Sequence, residues 1–153
     1  MDNIRQMIPD IALRTTMMVG YPGETEKRFS ELMKFVEESR FDRLGVFTYS
    51  PEEGTAAFGI QDDVPEAVKQ ERMEALMALQ QNISLELNEE KIGKTFKTLI
   101  DSKEGSVITG RTAYDSPGVD NEVIIDNQSL KVGEFYDIRI TSASEFDLLG
   151  KKA

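Results

Sequence analysis

The sequence predicts an α/β unit, a long helix and then a small all-β barrel of OB-like type, and three observations carry that reading. Apolar, β-favouring residues at 11–19 and 44–49 flank a stretch with helical periodicity. A longer helical pattern runs from residue 63 to about residue 90. Beyond Gly93 the period drops to two, and short apolar runs alternate with turn residues.

The first run, IALRTTMMV, is broken by Gly20-Tyr21-Pro22-Gly23, and Glu24-Thr25-Glu26 then opens a helix. In that helix Phe29, Leu32, Met33 and Val36 recur on one face. A second strand is expected over Leu44 to Tyr49, and two strands joined through a helix are expected to lie parallel. Ser50 to Thr55 reads as an irregular loop leaving that strand. Asp63 or Val64 is the expected cap of the long helix, with Pro65 and Glu66 in its first turn and Met73, Leu76, Leu79, Ile83 and Leu87 as its apolar stripe. Core packing accounts for that stripe. Five strands follow, at 95–101, 106–112, 122–126, 135–142 and 145–151, which suits a closed or partly closed barrel.

Composition narrows the chemistry. The chain has 153 residues, 39% of them hydrophobic and 30% charged, as in an ordinary soluble globular protein. No apolar run approaches the ~20 residues of a membrane span, and no signal-peptide pattern opens the sequence, so no membrane role and a cytoplasmic setting are expected. There is no cysteine, so these residues supply no disulfide, thiolate nucleophile or iron–sulfur ligand. The lack of histidine removes most nucleophilic triads and zincin sites. A net charge of −10 disfavours duplex wrapping and polybasic membrane binding, and points to neutral or basic partners.

Candidate site residues fall in two places. Gly20, Gly23 and Glu24 lie where an α/β architecture puts ligands, between the carboxyl end of a strand and a helix N-terminus. Free backbone N–H groups there would favour an anionic or carboxylate-bearing ligand. The plainer alternative is a turn that needs glycine φ angles before a helix that favours acids in its first turn. Arg14 is a charge inside an apolar strand, and either reaches a carboxylate or lies near a solvent-facing end. Tyr49 is expected on the same rim as the glycine turn, where simple packing is the competing reading. In the barrel, Arg111 follows Gly110, and Asp115, Asp120, Glu122 and Asp126 gather around one loop. Their spacing does not fit an EF-hand, and a solvated acidic face is the alternative to a docking surface.

Four segments in order, RTTMMVGYPGET, FTYSPEEGTAAF, VPEAVKQERMEALMALQQNIS and GRTAYDSPGVDNEV, resemble the C-terminal half of the radical-SAM methylthiotransferases across nearly the whole chain. The last segment favours the ribosomal-protein branch over the transfer-RNA branch. The resemblance implies the last strands of a radical-SAM partial TIM barrel over residues 1–62, a linking helix over 63–91 and a TRAM domain over 92–153. It implies that the parent enzyme uses S-adenosylmethionine and two iron–sulfur clusters to methylthiolate the β-carbon of an aspartate in a small-subunit ribosomal protein. No cofactor is expected in this chain alone, since the cluster-binding cysteines of such enzymes lie upstream of the matching segments. Arg14, Gly20, Gly23, Glu24 and Tyr49 are the places where this half would face S-adenosylmethionine, by strand-end location.

The expected partner is a basic small-subunit ribosomal protein, docked by Asp115, Asp120, Glu122 and Arg111, with weak RNA binding besides. Self-association through the exposed barrel edge is expected too. A transfer-RNA methylthiotransferase and a stand-alone TRAM adaptor for protein or RNA are the alternatives. The first expects a basic barrel, whereas residues 92–153 carry eight basic and ten acidic groups.

Overall fold

The computed structural model describes residues 2–126 and 129–153, in two compact units. One holds Ala12–Ile83 with the N-terminal helix as far as Gln6, and the other holds Ser84–Ala153 with Met7–Ile11.

In the first unit, β1 (Arg14–Val19), α2 (Glu26–Ser39) and β2 (Arg43–Thr48) form the expected β-α-β unit, preceded by α1 (Asp2–Met7). β1 and β2 are parallel, with Met17 opposite Val46 and Met18 opposite Phe47. Val19, Leu44 and Val46 are buried, as are Phe29 and Val36 from the predicted face of α2. Thr25 caps α2, its Oγ1 accepting from the Arg28 amide. The six-residue α1 has no counterpart in the sequence reading. It delivers Arg5, whose guanidinium donates to the carbonyls of Ser39 and Arg40 at 2.6 Å each, the acceptors that end α2.

α3 (Glu66–Glu89) starts later than expected. Neither Asp63 nor Val64 caps it: the Asp63 carboxylate accepts from the Gly23 amide at 2.7 Å, and the Pro65 carbonyl takes the Val68 and Lys69 amides. The buried line along α3 runs Lys69, Arg72, Leu76, Gln80 and Ile83, at helical spacing. Of the five predicted stripe residues, Leu76 and Ile83 are buried and the other three are half-buried.

The second unit is a closed barrel of β3 (Thr95–Glu104), β4 (Val107–Arg111), β5 (Val123–Asp126), β6 (Phe135–Ala143) and β7 (Leu148–Lys152), in the order β3-β4-β5-β7-β6. Closure removes the free edges of the sheet. β5 and β7 pair in parallel and the other neighbours antiparallel. Ile100, Ile108, Val123, Ile125, Leu130, Ile138, Ile140 and Leu148 fill the interior. The last strand begins at Leu148 rather than Glu145, because Ser144 turns the chain: its amide donates to the Asp147 carbonyl and its Oγ accepts from the Asp147 amide. The C-terminal turns of α3 are tied to that bend, with Ser84 Oγ donating to the Glu145 carbonyl at 2.8 Å and Asn88 Nδ2 to the Ser144 carbonyl at 2.9 Å.

Candidate functional site

At the carboxyl ends of β1 and β2 the chain builds a charged corner. Gly20 follows β1 at φ +74°, and its amide donates to Glu24 Oε1 at 3.1 Å. The same Oε1 accepts from Arg72 Nη1 at 2.8 Å, and Arg72 Nη2 lies 3.4 Å from Glu26. The Arg72 guanidinium also stacks over the Phe29 ring at 5.4 Å. One helical turn earlier, the buried Lys69 passes its stem across Gly20 and donates from Nζ to the Tyr49 carbonyl at 3.1 Å and to Asp62 Oδ2 at 2.6 Å.

The Asp62 hydrogen bond holds the Lys69 ammonium above the ordinary lysine range, against the opposing effect of burial. The same bond is the main reason the Asp62 carboxyl sits below the ordinary carboxylate range. Tyr49 is buried, packs edge-on against Tyr21 at 5.2 Å between ring centres, and donates its hydroxyl to the Ala57 carbonyl.

Gly20, Gly23, Glu24 and Tyr49 therefore do meet at one corner. Arg14 does not: it opens β1, and six residues of strand put it about 20 Å from Gly20. Strand-end location thus separates Arg14 from the other four.

The expectation of free amides facing an anionic ligand is also corrected. Glu24 takes the Gly20 amide, Asp63 takes that of Gly23, the Tyr21 carbonyl takes that of Glu24, and Thr25 takes that of Arg28. Side chains brought by residues 62–72 supply much of this chemistry, and the sequence reading passed over them. Their signal was present: Lys69 and Arg72 lie at i and i+3 of a line that continues through Leu76 and Ile83, so they share its buried face.

These residues do not fit as direct donors to the carboxylate of S-adenosylmethionine, because the amides that would bind it are already engaged. With no cysteine in the sequence, they offer no thiolate to an iron–sulfur cluster either. When bound in a radical-SAM enzyme, those groups supply reductive cleavage of the sulfonium.

In the barrel, Arg111 pairs with Asp101 across the β3–β4 ladder. Gly110 is a packing requirement, since a Cβ there would fall 2.5 Å from the Leu99 carbonyl oxygen. Asp115 accepts from Thr112 Oγ1 at 2.6 Å and Asp120 from the Ser116 amide at 2.7 Å, so both help to fold their own loop. Glu122 is exposed, and its amide is held by Asp147. Among the described residues, no group of three or more His, Cys, Asp or Glu is placed to hold a metal ion, and no helix is long and apolar enough to cross a membrane.

The barrel coincides with a match to the TRAM-domain family over residues 92–152. The second unit contains a TRAM domain. Similarity extends well beyond it. The chain is 54% identical over 149 residues to a ribosomal protein uS12 methylthiotransferase, RimO, of Christiangramia forsetii, covering 96% of this chain and 33% of that protein. A protein of the same name from Phocaeicola vulgatus is 55% identical over 150 residues, covering 96% and 35% respectively. The corresponding figures for Flavobacterium psychrophilum are 53% over 153 residues, 99% and 35%. The chain thus spans about a third of the length of these curated relatives, and it matches their C-terminal third. The glycine corner and the TRAM domain both lie inside the shared stretch.

Proposed function

We propose that this chain serves as the C-terminal region of a radical-SAM enzyme that methylthiolates the β-carbon of an aspartate in the ribosomal protein uS12. The observation that carries this reading is identity of about 50% along 96–99% of the chain to proteins named for that activity. In this reading residues 1–62 are the last strands of the radical-SAM barrel, residues 63–91 the linking helix and residues 92–153 the substrate-docking module. S-adenosylmethionine and both iron–sulfur clusters are held chiefly by the rest of the enzyme. Gly20, Gly23, Glu24 and Tyr49 then form a wall of the cofactor cleft, held in shape by Lys69 and Arg72, and the chain by itself is inactive. The work is cytoplasmic.

The substrate is basic, and the acidic loop of the TRAM domain suits it, since complementary charge speeds encounter and disfavours like-charged competitors. Glu122 is the group best placed to dock it, because Asp115 and Asp120 also hold the loop. Weak RNA binding accompanies protein docking. A transfer-RNA substrate is disfavoured by the excess of acids in the barrel.

The test is a graft. This chain replaces the C-terminal third of the Christiangramia forsetii relative, and methylthiolation of uS12 is followed by mass spectrometry. The expected result is modified uS12 from the chimera, and at least tenfold less from a chimera carrying Glu122→Lys. A chimera that folds and holds its clusters but modifies transfer RNA instead overturns the reading.

A further inference from the structure

The longest connection in the first unit leaves β2 at its carboxyl end: residues 49–65 join Thr48 to α3 with no helix or strand of their own. A connection beyond ~12–15 residues without secondary structure is uncommon in a compact domain and is kept chiefly for function. This one is folded on itself. Its two ends meet on one ammonium, because Lys69 Nζ donates to the Tyr49 carbonyl at 3.1 Å and to Asp62 Oδ2 at 2.6 Å. The Tyr49 hydroxyl holds the Ala57 carbonyl at 3.1 Å, and the amides of Thr55, Phe58 and Ile60 each donate to the carbonyl three residues earlier. A loop closed in this way has a neck against which to hide apolar groups, yet Phe58 is 50% and Ile60 45% exposed. No Lys or Arg lies between residues 49 and 65, and of the four carboxylates there Asp62 and Asp63 are turned inward to Lys69 and the Gly23 amide. Glu52 and Glu53 are exposed on the same loop as the two apolar side chains.

We infer that the loop of residues 49–62 grips the protein substrate, with Phe58 and Ile60 packing on apolar side chains of a basic uS12 segment and Glu52 and Glu53 facing its cations. The inference rests on the uS12 reading proposed above and names the surface that holds the segment for reaction. Position supports it, since the loop follows the carboxyl end of a parallel strand, the side on which α/β barrels build their active sites. Order supports it as well: a loop already fixed by Lys69 and Tyr49 loses little further freedom on binding, so contacts at its tip go into affinity. The charge chooses the occupant, because an apolar tip beside two exposed acids and no base favours a basic partner and repels nucleic acid. Phe58 and Ile60 are thereby positioning residues, which set where the substrate lies and take no part in the bond changes.

The test uses the full chain and the chimera described above, each with purified uS12. In the chimera Phe58→Ser/Ile60→Ser is expected to raise KM for uS12 by roughly tenfold or more while kcat at saturation and cleavage of S-adenosylmethionine without uS12 stay unchanged. Lys34→Gln on α2 is expected to change none of these. Glu52→Gln/Glu53→Gln is expected to slow association about threefold at low salt and to have no effect at about 0.5 M salt, where such charges are screened. Hydrogen exchange on the unaltered chain gives an answer even if a variant misfolds, and uS12 is expected to protect the peptide covering residues 52–60. An unchanged KM, or no protection of that peptide, overturns the docking loop and leaves the uS12 reading standing. Loss of uncoupled cleavage in the double variant assigns the loop to the cofactor cleft instead and overturns the proposal. Protection that the chimera shows without uS12, or that grows with chain concentration alone, assigns the tip to the rest of the enzyme or to a second copy, and overturns it too. A chimera that folds, holds its clusters and leaves uS12 unmodified overturns the uS12 reading itself.

Discussion

The stem of Lys69 occupies the space that a side chain at position 20 would need: a Cβ built on Gly20 lies 2.3 Å from Lys69 Cγ. The glycine at the end of β1 is therefore required twice over, by its φ of +74° and by a lysine 49 residues further along the chain. Gly20→Ala is expected to destabilise the chain by about 2–4 kcal/mol in urea unfolding, combining left-handed backbone strain with overpacking. In a Lys69→Ala background the overpacking disappears, and the same substitution is expected to cost only about 1–2 kcal/mol. Equal costs in both backgrounds would refute the contact.

The Lys69–Asp62 pair sets a pH window. Asp62 is depressed in the folded state, so its contribution is present above the unfolded carboxylate value near 4 and is lost as pH falls through the folded value. Lys69 is raised, so its contribution is complete below the unfolded lysine value and is lost as pH rises through the folded value. Asp62→Asn is expected to flatten both the acid limb and the alkaline limb of the stability–pH curve, since it removes the main cause of each shift. An unchanged acid limb in the variant would show that Asp62 carries none of this linkage.

Arg72 and Glu24 form a nearly dry pair, with side chains 7% and 11% exposed. Removing one partner strands the other charge, so Arg72→Ala is expected to cost about 3–5 kcal/mol. Replacing both by Met and Leu is expected to cost less than that single change. A thermal-unfolding double-mutant cycle checks this through the sign of the coupling.

A chain with no cysteine is expected to retain no iron–sulfur cluster after anaerobic reconstitution with iron and sulfide, and to cleave no S-adenosylmethionine. Desalting followed by iron analysis and absorbance near 400 nm measures it. Stoichiometric iron on the desalted chain would contradict it.

β1 pairs with β2 and with no other described strand, and Met18 and Phe47, cross-strand partners, are 53% and 63% exposed. An open edge beside an apolar face favours pairing with another copy. Light scattering at micromolar concentration is expected to show dimers or larger species, and Met18→Lys/Phe47→Glu to shift the population towards monomer. A monomer at every concentration for the unaltered chain would end the idea.

Much of this protein is written in local sequence. The period of 3.6 at Phe29, Leu32, Met33 and Val36, and the period of two beyond Gly93, are properties of neighbouring residues. They set the order of the two longer helices and the strands, the parallel pair and the five barrel strands, while the short α1 was not read. The turn at Gly20 was legible for the same reason, whereas Thr25 as the cap of α2 emerges only from the fold. What neighbours cannot show is which long-range partner a polar group finds. The Gly20 and Gly23 amides looked free because Glu24 was read as a first-turn acid and Asp63 as a cap, whereas folding aims both carboxylates back at those amides. Lys69 and Arg72 drew no notice in the helix pattern, and only packing placed them beside Asp62 and Glu24. Arg139 and Lys151 are twelve residues apart in the chain and opposite one another in the barrel, so the charge count was fixed by sequence while the charge pattern was set by strand register. Composition sums over residues, and only the closed sheet decides which of them face each other.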